Sequence, residues 1–128
     1  DLRPVADAAD LLRLQTTVRN VYVHPAVEAY ILRLIRATRS HAAVQLGASP
    51  RGSLALYRGA QARAAIAGRA YALPDDVKAL VQPVLGHRVM TTSQARVRGK
   101  GAGEVLQEIV AATPVPVEES WSVEGAAP

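Results

Sequence analysis

The stretch best suited to chemistry is Gly47-Ala48-Ser49-Pro50-Arg51-Gly52. It reads as a loop that turns into a helix. Ser49 is a favoured N-cap, and Pro50 sits at the first helical position, where its missing N–H costs nothing. Arg51 then falls in the first turn. A cation is unfavourable there, because the helix N-terminus carries the positive end of the macrodipole. Helical side chains lean toward the N-terminus, so Arg51 projects past the helix end, beside free backbone N–H groups. A guanidinium in that place can grip a phosphate or another anion. The plain alternative is an exposed arginine in an ordinary capped turn.

Other chemistry lacks its residues. A phosphate-cradling P-loop needs Gly-x-x-x-x-Gly-Lys-Ser/Thr. Gly99-Lys100 is the one Gly-Lys pair, but Gln94 stands at the first glycine position and Gly101 at the hydroxyl position. No apolar strand ends in an acidic pair; residues 115–119 imitate one, but Pro114 and Pro116 spoil the strand. His24, His41 and His87 share no ligand spacing, so no metal site is expected. Asp75 and Asp76 are adjacent, point to different sides of a helix and cannot form an acid–base pair. Ser49 and Ser53 have no nearby base. Stand-alone catalysis is therefore not expected.

The elements that must position Arg51 are helical. Asp7 caps a first helix, with Asp10 completing a weak capping box, and the helix runs to about Arg19 with Leu11, Leu14 and Val18 on one face. His24-Pro25 opens the clearest helix: Val27, Tyr30, Ile31, Leu34 and Ile35 form a full apolar stripe. Arg33, Arg36 and Arg39 share its other side, readable as a solvated face or a phosphate track. After a loop at 41–48, the Pro50 helix reaches about Ala67. Ala55, Gly59, Ala62 and Ile66 recur along it, so it should be the enclosed central helix, with Gly68 as its C′ residue. Leu73-Pro74-Asp75-Asp76 opens a helix carrying Val77, Leu80, Val81, Val84 and Leu85, with Pro83 inside the stripe, a kink or break expected near Gln82 and a stop at Gly86. Residues 88–93 could pair briefly with 21–23. Gly99, Gly101 and Gly103 form a loop before a last helix, about 103–112, with Val105, Leu106, Ile109 and Val110 inward. The expected fold is all-α, a bundle of about five helices with at most one short two-strand pairing. Residues 1–6 read as a lead-in, 7–116 as the domain and 117–128 as a mobile tail holding Trp121.

Bulk properties agree with one small domain. The chain has 128 residues, 49% of them hydrophobic, with 4% aromatics and no Phe. An Ala-, Leu- and Val-rich core suits closely packed helices. With no Cys, disulfides and thiolate metal sites are excluded. The net charge of +4 comes almost wholly from Arg, which is compatible with a phosphate-bearing partner. No apolar run reaches membrane-spanning length and no signal-peptide pattern opens the chain, so no membrane is expected and the location expected is cytoplasmic. The chain starts at Asp1 without Met, which fits a piece of a longer protein.

Several segments, in this order and spacing, resemble the C-terminal lid domain of a MoxR-type AAA+ ATPase. They are Val21-Tyr22-Val23-His24-Pro25-Ala26-Val27, Tyr30-Ile31 with Leu34, Ala37-Thr38-Arg39, Leu46-Gly47-Ala48-Ser49-Pro50-Arg51, Gly68-Arg69, Pro74-Asp75-Asp76-Val77, Val84-Leu85, His87-Arg88 and Pro114-Val115-Pro116. The resemblance covers about residues 6–116 and is specific in combination. Leu73 stands where a hydroxyl N-cap is usual, and His24 where Asp or Ser is; both should cost cap stability rather than function. The resemblance implies a lid closing over ATP held mainly by an α/β core upstream, which would carry the P-loop, the acidic strand end and magnesium. Arg51 matches the sensor 2 arginine that reaches the terminal phosphate, with Ser49 and Pro50 setting the helix start. This chain alone is then not expected to be catalytic, although its parent would hydrolyse ATP. The resemblance also implies a hexameric ring, a remodelling chaperone role and partners bearing von Willebrand A domains. Two other readings stay open at this point. One is a small basic DNA-binding module, because residues 68–80 also resemble part of a histone fold; the other is a protein-interaction domain. Nucleic acid is the less favoured partner.

Overall fold

The computed structural model describes residues 2–117. It contains α1 (Ala8–Arg19), α2 (Pro25–Ser40), β1 (Val44–Leu46), α3 (Pro50–Ile66), α4 (Pro74–Leu85), β2 (Met90–Thr91), α5 (Ser93–Val97) and α6 (Ala102–Ala112). The all-α architecture expected from the periodicity is present, with six helices and one two-strand pairing.

Local signals account for most helix ends. Asp7 and Asp10 exchange hydrogen bonds with each other's backbone N–H at 2.8 and 3.0 Å, a complete capping box. His24 caps α2 by accepting from the Ala26 N–H through Nδ1 at 3.1 Å, so the unusual residue before Pro25 still serves as a cap. Gly68 leaves α3 with φ +74°, a left-handed conformation that glycine adopts without a Cβ penalty.

The core is one cluster built from α2, α3, α4 and α6. Val27, Tyr30, Ile31, Leu34 and Ile35 of α2 are buried, as the stripe predicts. They meet Leu56, Ala60 and Ala64 of α3, Val77, Val81 and Leu85 of α4, and Val105, Leu106 and Ile109 of α6. Helix α3 is central, packing against α1, α2 and α4.

Several expectations are corrected. The enclosed face of α3 carries Gly52, Leu56, Ala60, Gln61 and Ala64, while Ile66 is exposed. Small residues surround this helix, so its weak apolar pattern does not select one face. Helix α1 forms as expected but buries none of its residues, and Leu11, Leu12 and Leu14 stay exposed. Pro83 does not break α4, which continues to Leu85. Only two residues follow Pro83 in the helix, so little remains for its missing N–H and its ring to disrupt. Residues 93–97, where the sequence predicts no helix, form α5, started by Thr92 Oγ1 accepting from the Ala95 N–H at 3.2 Å.

The strand pairing also differs. Met90–Thr91 pairs antiparallel with Val44–Leu46, inside the stretch read as a loop. Tyr22 instead meets Tyr71 in an isolated parallel bridge: Tyr22 N–H donates to Ala70 O, and Ala72 N–H to Tyr22 O, both at 2.9 Å. Tertiary packing places the segment after α1 beside the segment after α3. The buried Gln61 secures this from below, its Nε2 donating to the carbonyls of Arg19 and Val21 at 3.0 and 2.8 Å. The expected tail at 117–128, with Trp121, lies outside the described residues apart from Val117.

Candidate functional site

The site is the start of α3. Ala48 is buried, and both of its main-chain groups are bonded to the end of α2. Its N–H donates to Thr38 Oγ1 at 3.0 Å, and its carbonyl accepts from Arg39 Nε at 2.9 Å. Thr38 is itself fully buried and donates its hydroxyl proton to Ile35 O at 2.7 Å. The loop lies so close to α2 that a Cβ on Gly47 would stand 2.7 Å from Arg39 Cγ and 2.8 Å from its Cα. One turn into α3, a Cβ on Gly52 would meet Leu85 at 3.1 Å and Ile35 at 3.3 Å. The helix start is thus held from both sides.

Ser49 occupies the N-cap position with extended backbone angles, but its side chain makes no cap hydrogen bond. Its expected capping role is corrected. Its carbonyl instead accepts from Gly52 N–H at 2.8 Å, and Ser53 Oγ donates to Pro50 O at 2.6 Å. Pro50 stands at the first helical position as predicted. The first turn therefore keeps donor capacity that a serine cap would normally take up. Arg51 is exposed in that turn and makes no hydrogen bond or ion pair with any described residue.

Other arginines differ. Arg69 places Nη1 and Nη2 on the two carboxylate oxygens of Asp76 at 2.8 and 2.7 Å, a bidentate pair. Arg63 Nε stands 3.5 Å from the same carboxylate, and Leu73 N–H donates to it at 2.8 Å. Burial pushes the Asp76 carboxyl up, but the bonds from Arg69 and Leu73 and the charges of Arg69 and Arg63 outweigh it and hold the pKa below the usual carboxylate range. The Gly68-Arg69 and Pro74-Asp75-Asp76 motifs are thus one structural joint. Asp75 is exposed and pairs with Lys78 at 3.0 Å, on a different side from Asp76 as expected.

The row of Arg33, Arg36 and Arg39 does not act as one track. Arg33 lies over the Tyr30 ring and donates to Pro114 O at 3.3 Å, Arg39 holds Ala48, and Arg36 makes no side-chain bond among the described residues. At the C-cap of α2, His41 Nε2 lies 3.3 Å from Glu108, which also takes Lys100 Nζ at 2.7 Å. The Lys100 hydrogen bond leads in holding the Glu108 carboxyl below its ordinary value. Among the described residues no cluster of His, Asp or Glu could hold a metal ion. Among the described residues, no helix is long and apolar enough to cross a membrane.

Comparison with known proteins supplies the family. The AAA lid domain family model matches residues 36–109, which include the whole Ala48 clamp and Arg51. The chain is 41% identical over 119 residues to YeaC of Bacillus subtilis (strain 168), itself uncharacterised, covering 93% of this chain and 37% of that protein. It is 36% identical over 117 residues to the chaperone MoxR1 of Mycobacterium tuberculosis, covering 84% of this chain and 30% of MoxR1. The chain thus spans about a third of the length of these relatives. The fold also matches a solved structure of a Cytophaga hutchinsonii protein described as a candidate ATPase, with a TM-score of 0.80 and 25% identity, over 85% of this chain and 36% of that one.

Proposed function

The chain belongs to the AAA lid domain family, as the lid of a MoxR-type AAA+ ATPase, and from that premise we propose that it closes over ATP held by an α/β core and contacts the terminal phosphate through Arg51, the sensor 2 residue. The observation that carries this reading is an exposed guanidinium without a partner among the described residues, in the first turn of a helix whose serine cap is unused. Both features fit an anion. Arg51 supplies a charge-assisted donor and the macrodipole adds positive potential. When bound, ATP supplies the phosphoanhydride whose hydrolysis drives the parent. The work of this chain is to place positive charge where negative charge builds up. Magnesium and the P-loop belong to the core in this reading.

The experiment uses the full-length parent. Losing one charge-assisted contact costs about 1.5–3 kcal/mol, or about 10–100-fold in rate if it is felt in the transition state. Arg51→Ala should show that loss, and Arg51→Lys should recover little, because an ammonium lacks the planar fork. Parent-like ATP binding and hydrolysis by Arg51→Ala would place sensor 2 elsewhere. Unfolding of the variant would make Arg51 structural.

The reading extends to a ring of six copies in the cytoplasm, a remodelling role and a von Willebrand A domain partner. The name of the MoxR1 relative, a chaperone, supports the remodelling role. Sedimentation of the parent with ATP tests the ring, which a monomer at micromolar concentration would contradict.

A further inference from the structure

We propose that Thr38 and Arg39 are positioning residues for Arg51: they hold Ala48 by its N–H and its carbonyl, and so determine where α3 starts and where Arg51 points. This deepens the sensor 2 reading and rests on it.

A helix start is usually set locally, by a side-chain cap. Here Ser49 does not cap, so the local device is missing. Pro50 biases its own φ but does not anchor the turn in space. The anchors are tertiary. Thr38 Oγ1 can accept from Ala48 because its proton already goes to Ile35 O, so the hydroxyl has one fixed orientation. Arg39 uses Nε on the Ala48 carbonyl at 2.9 Å. Gly47 permits the close approach to Arg39, and Gly52 seats the first turn on Ile35 and Leu85. Arg51 is three residues beyond Ala48. One residue advances a helix by about 100° of rotation and 1.5 Å. A slip of one residue at the start would therefore swing the guanidinium to another face. A misplacement of about 1 Å at a reacting centre is already costly.

The test uses the full-length ATPase with a non-hydrolysable ATP analogue, so that binding is read without turnover. Amide exchange is read at Ala48 and across residues 51–53. Arg39→Ala removes an exposed side chain and leaves the core packing alone. Thr38→Val keeps the shape of Thr38 and loses its hydroxyl, whereas Thr38→Ser keeps the hydroxyl. Arg39→Ala and Thr38→Val should each weaken analogue binding by about 3–10-fold, the size expected for one lost hydrogen bond. Exchange should quicken in the first turn of α3, with the thermal midpoint little changed in Arg39→Ala and lowered in Thr38→Val, which leaves the buried Ala48 N–H without its acceptor. Thr38→Ser should behave like the parent. The double variant Arg39→Ala/Arg51→Ala should bind no more weakly than Arg51→Ala alone, because the clamp acts through Arg51.

Additive losses in the double variant would overturn the proposal, as would parent-like binding and exchange in both Arg39→Ala and Thr38→Val while Arg51→Ala is impaired. Parent-like binding and hydrolysis by Arg51→Ala itself would remove the sensor 2 reading, and this proposal with it.

Discussion

Arg69, just beyond the C-terminal end of α3, puts two guanidinium nitrogens on Asp76 at 2.8 and 2.7 Å. Arg51, in the first turn of the same helix, puts none on any described residue. Around Arg69 every strong polar group is answered: Asp76 also takes the Leu73 N–H and the charge of Arg63. Around Arg51 the serine that should cap the helix does not. A guanidinium closed on a buried carboxylate is tied up in the fold. One left open at a positive helix end has its binding capacity free for a ligand. The two ends of α3 thus hold one arginine spent on the fold and one with no partner among the described residues.

The largest break in that contrast should come from Asp76→Ala. It strands Arg69 and the Leu73 N–H at a site where the carboxylate side chain is only 5% exposed. Removing one partner of such a pair costs about 3 kcal/mol, read as a lower urea midpoint of this chain at neutral pH. A loss below about 0.5 kcal/mol would mean that the joint is only a surface ion pair.

Acid should weaken the same joint less completely. The folded pKa of Asp76 is lowered, so its contribution is present above the unfolded carboxylate value of about 3.9 and is lost as pH falls through the folded value. Glu108, also lowered, acts with the same sign. Urea midpoints should hold steady above about pH 5 and drop below it. Asp76→Asn should show a shallower acid slope than the parent. Equal slopes would remove Asp76 from the acid response.

Tyr30 sharpens the contrast from inside the core. Its hydroxyl is fully buried with no hydrogen-bond partner among the described residues, and burial raises its pKa. An unpartnered polar group costs nothing in water but costs about 1 kcal/mol or more when buried. Tyr30→Phe should therefore stabilise the chain by about 1 kcal/mol, and a clear destabilisation would show that the hydroxyl has found a partner.

The smallest expected effect is on the stability of Arg51→Ala, below about 0.5 kcal/mol, alongside its large effect on the parent's ATP chemistry. On the proposed lid reading the isolated chain should likewise bind ATP weakly and leave it intact, because that reading assigns most phosphate contacts to a separate core. Micromolar affinity or measurable turnover would reveal a site that Arg51 does not explain.

The sequence by itself determined every helix except α5, and the placing of Arg51 in a first turn. Asp7 with Asp10, His24-Pro25, Ser49-Pro50 and Pro74 mark starts, and Gly68 and Gly86 mark ends, because these signals act over one turn of chain. The α2 stripe was legible because large apolar residues recur at helical spacing along one face. Tertiary structure alone decided which face of α3 is enclosed, since alanines and glycines fit on any side. It also decided that β2 pairs with β1 rather than with residues 21–23, because strands of two or three residues carry too little pattern to select a partner. The deepest difference lies in the polar groups. A sequence lists donors and acceptors but does not say which are already matched. Only the packed chain shows that Asp76 gathers Arg69, Arg63 and Leu73, that Thr38 and Arg39 hold Ala48 in place of a serine cap, and that Arg51 is left open. Hydrogen bonds are satisfied between elements far apart in sequence, and their geometry exists only after the core has closed.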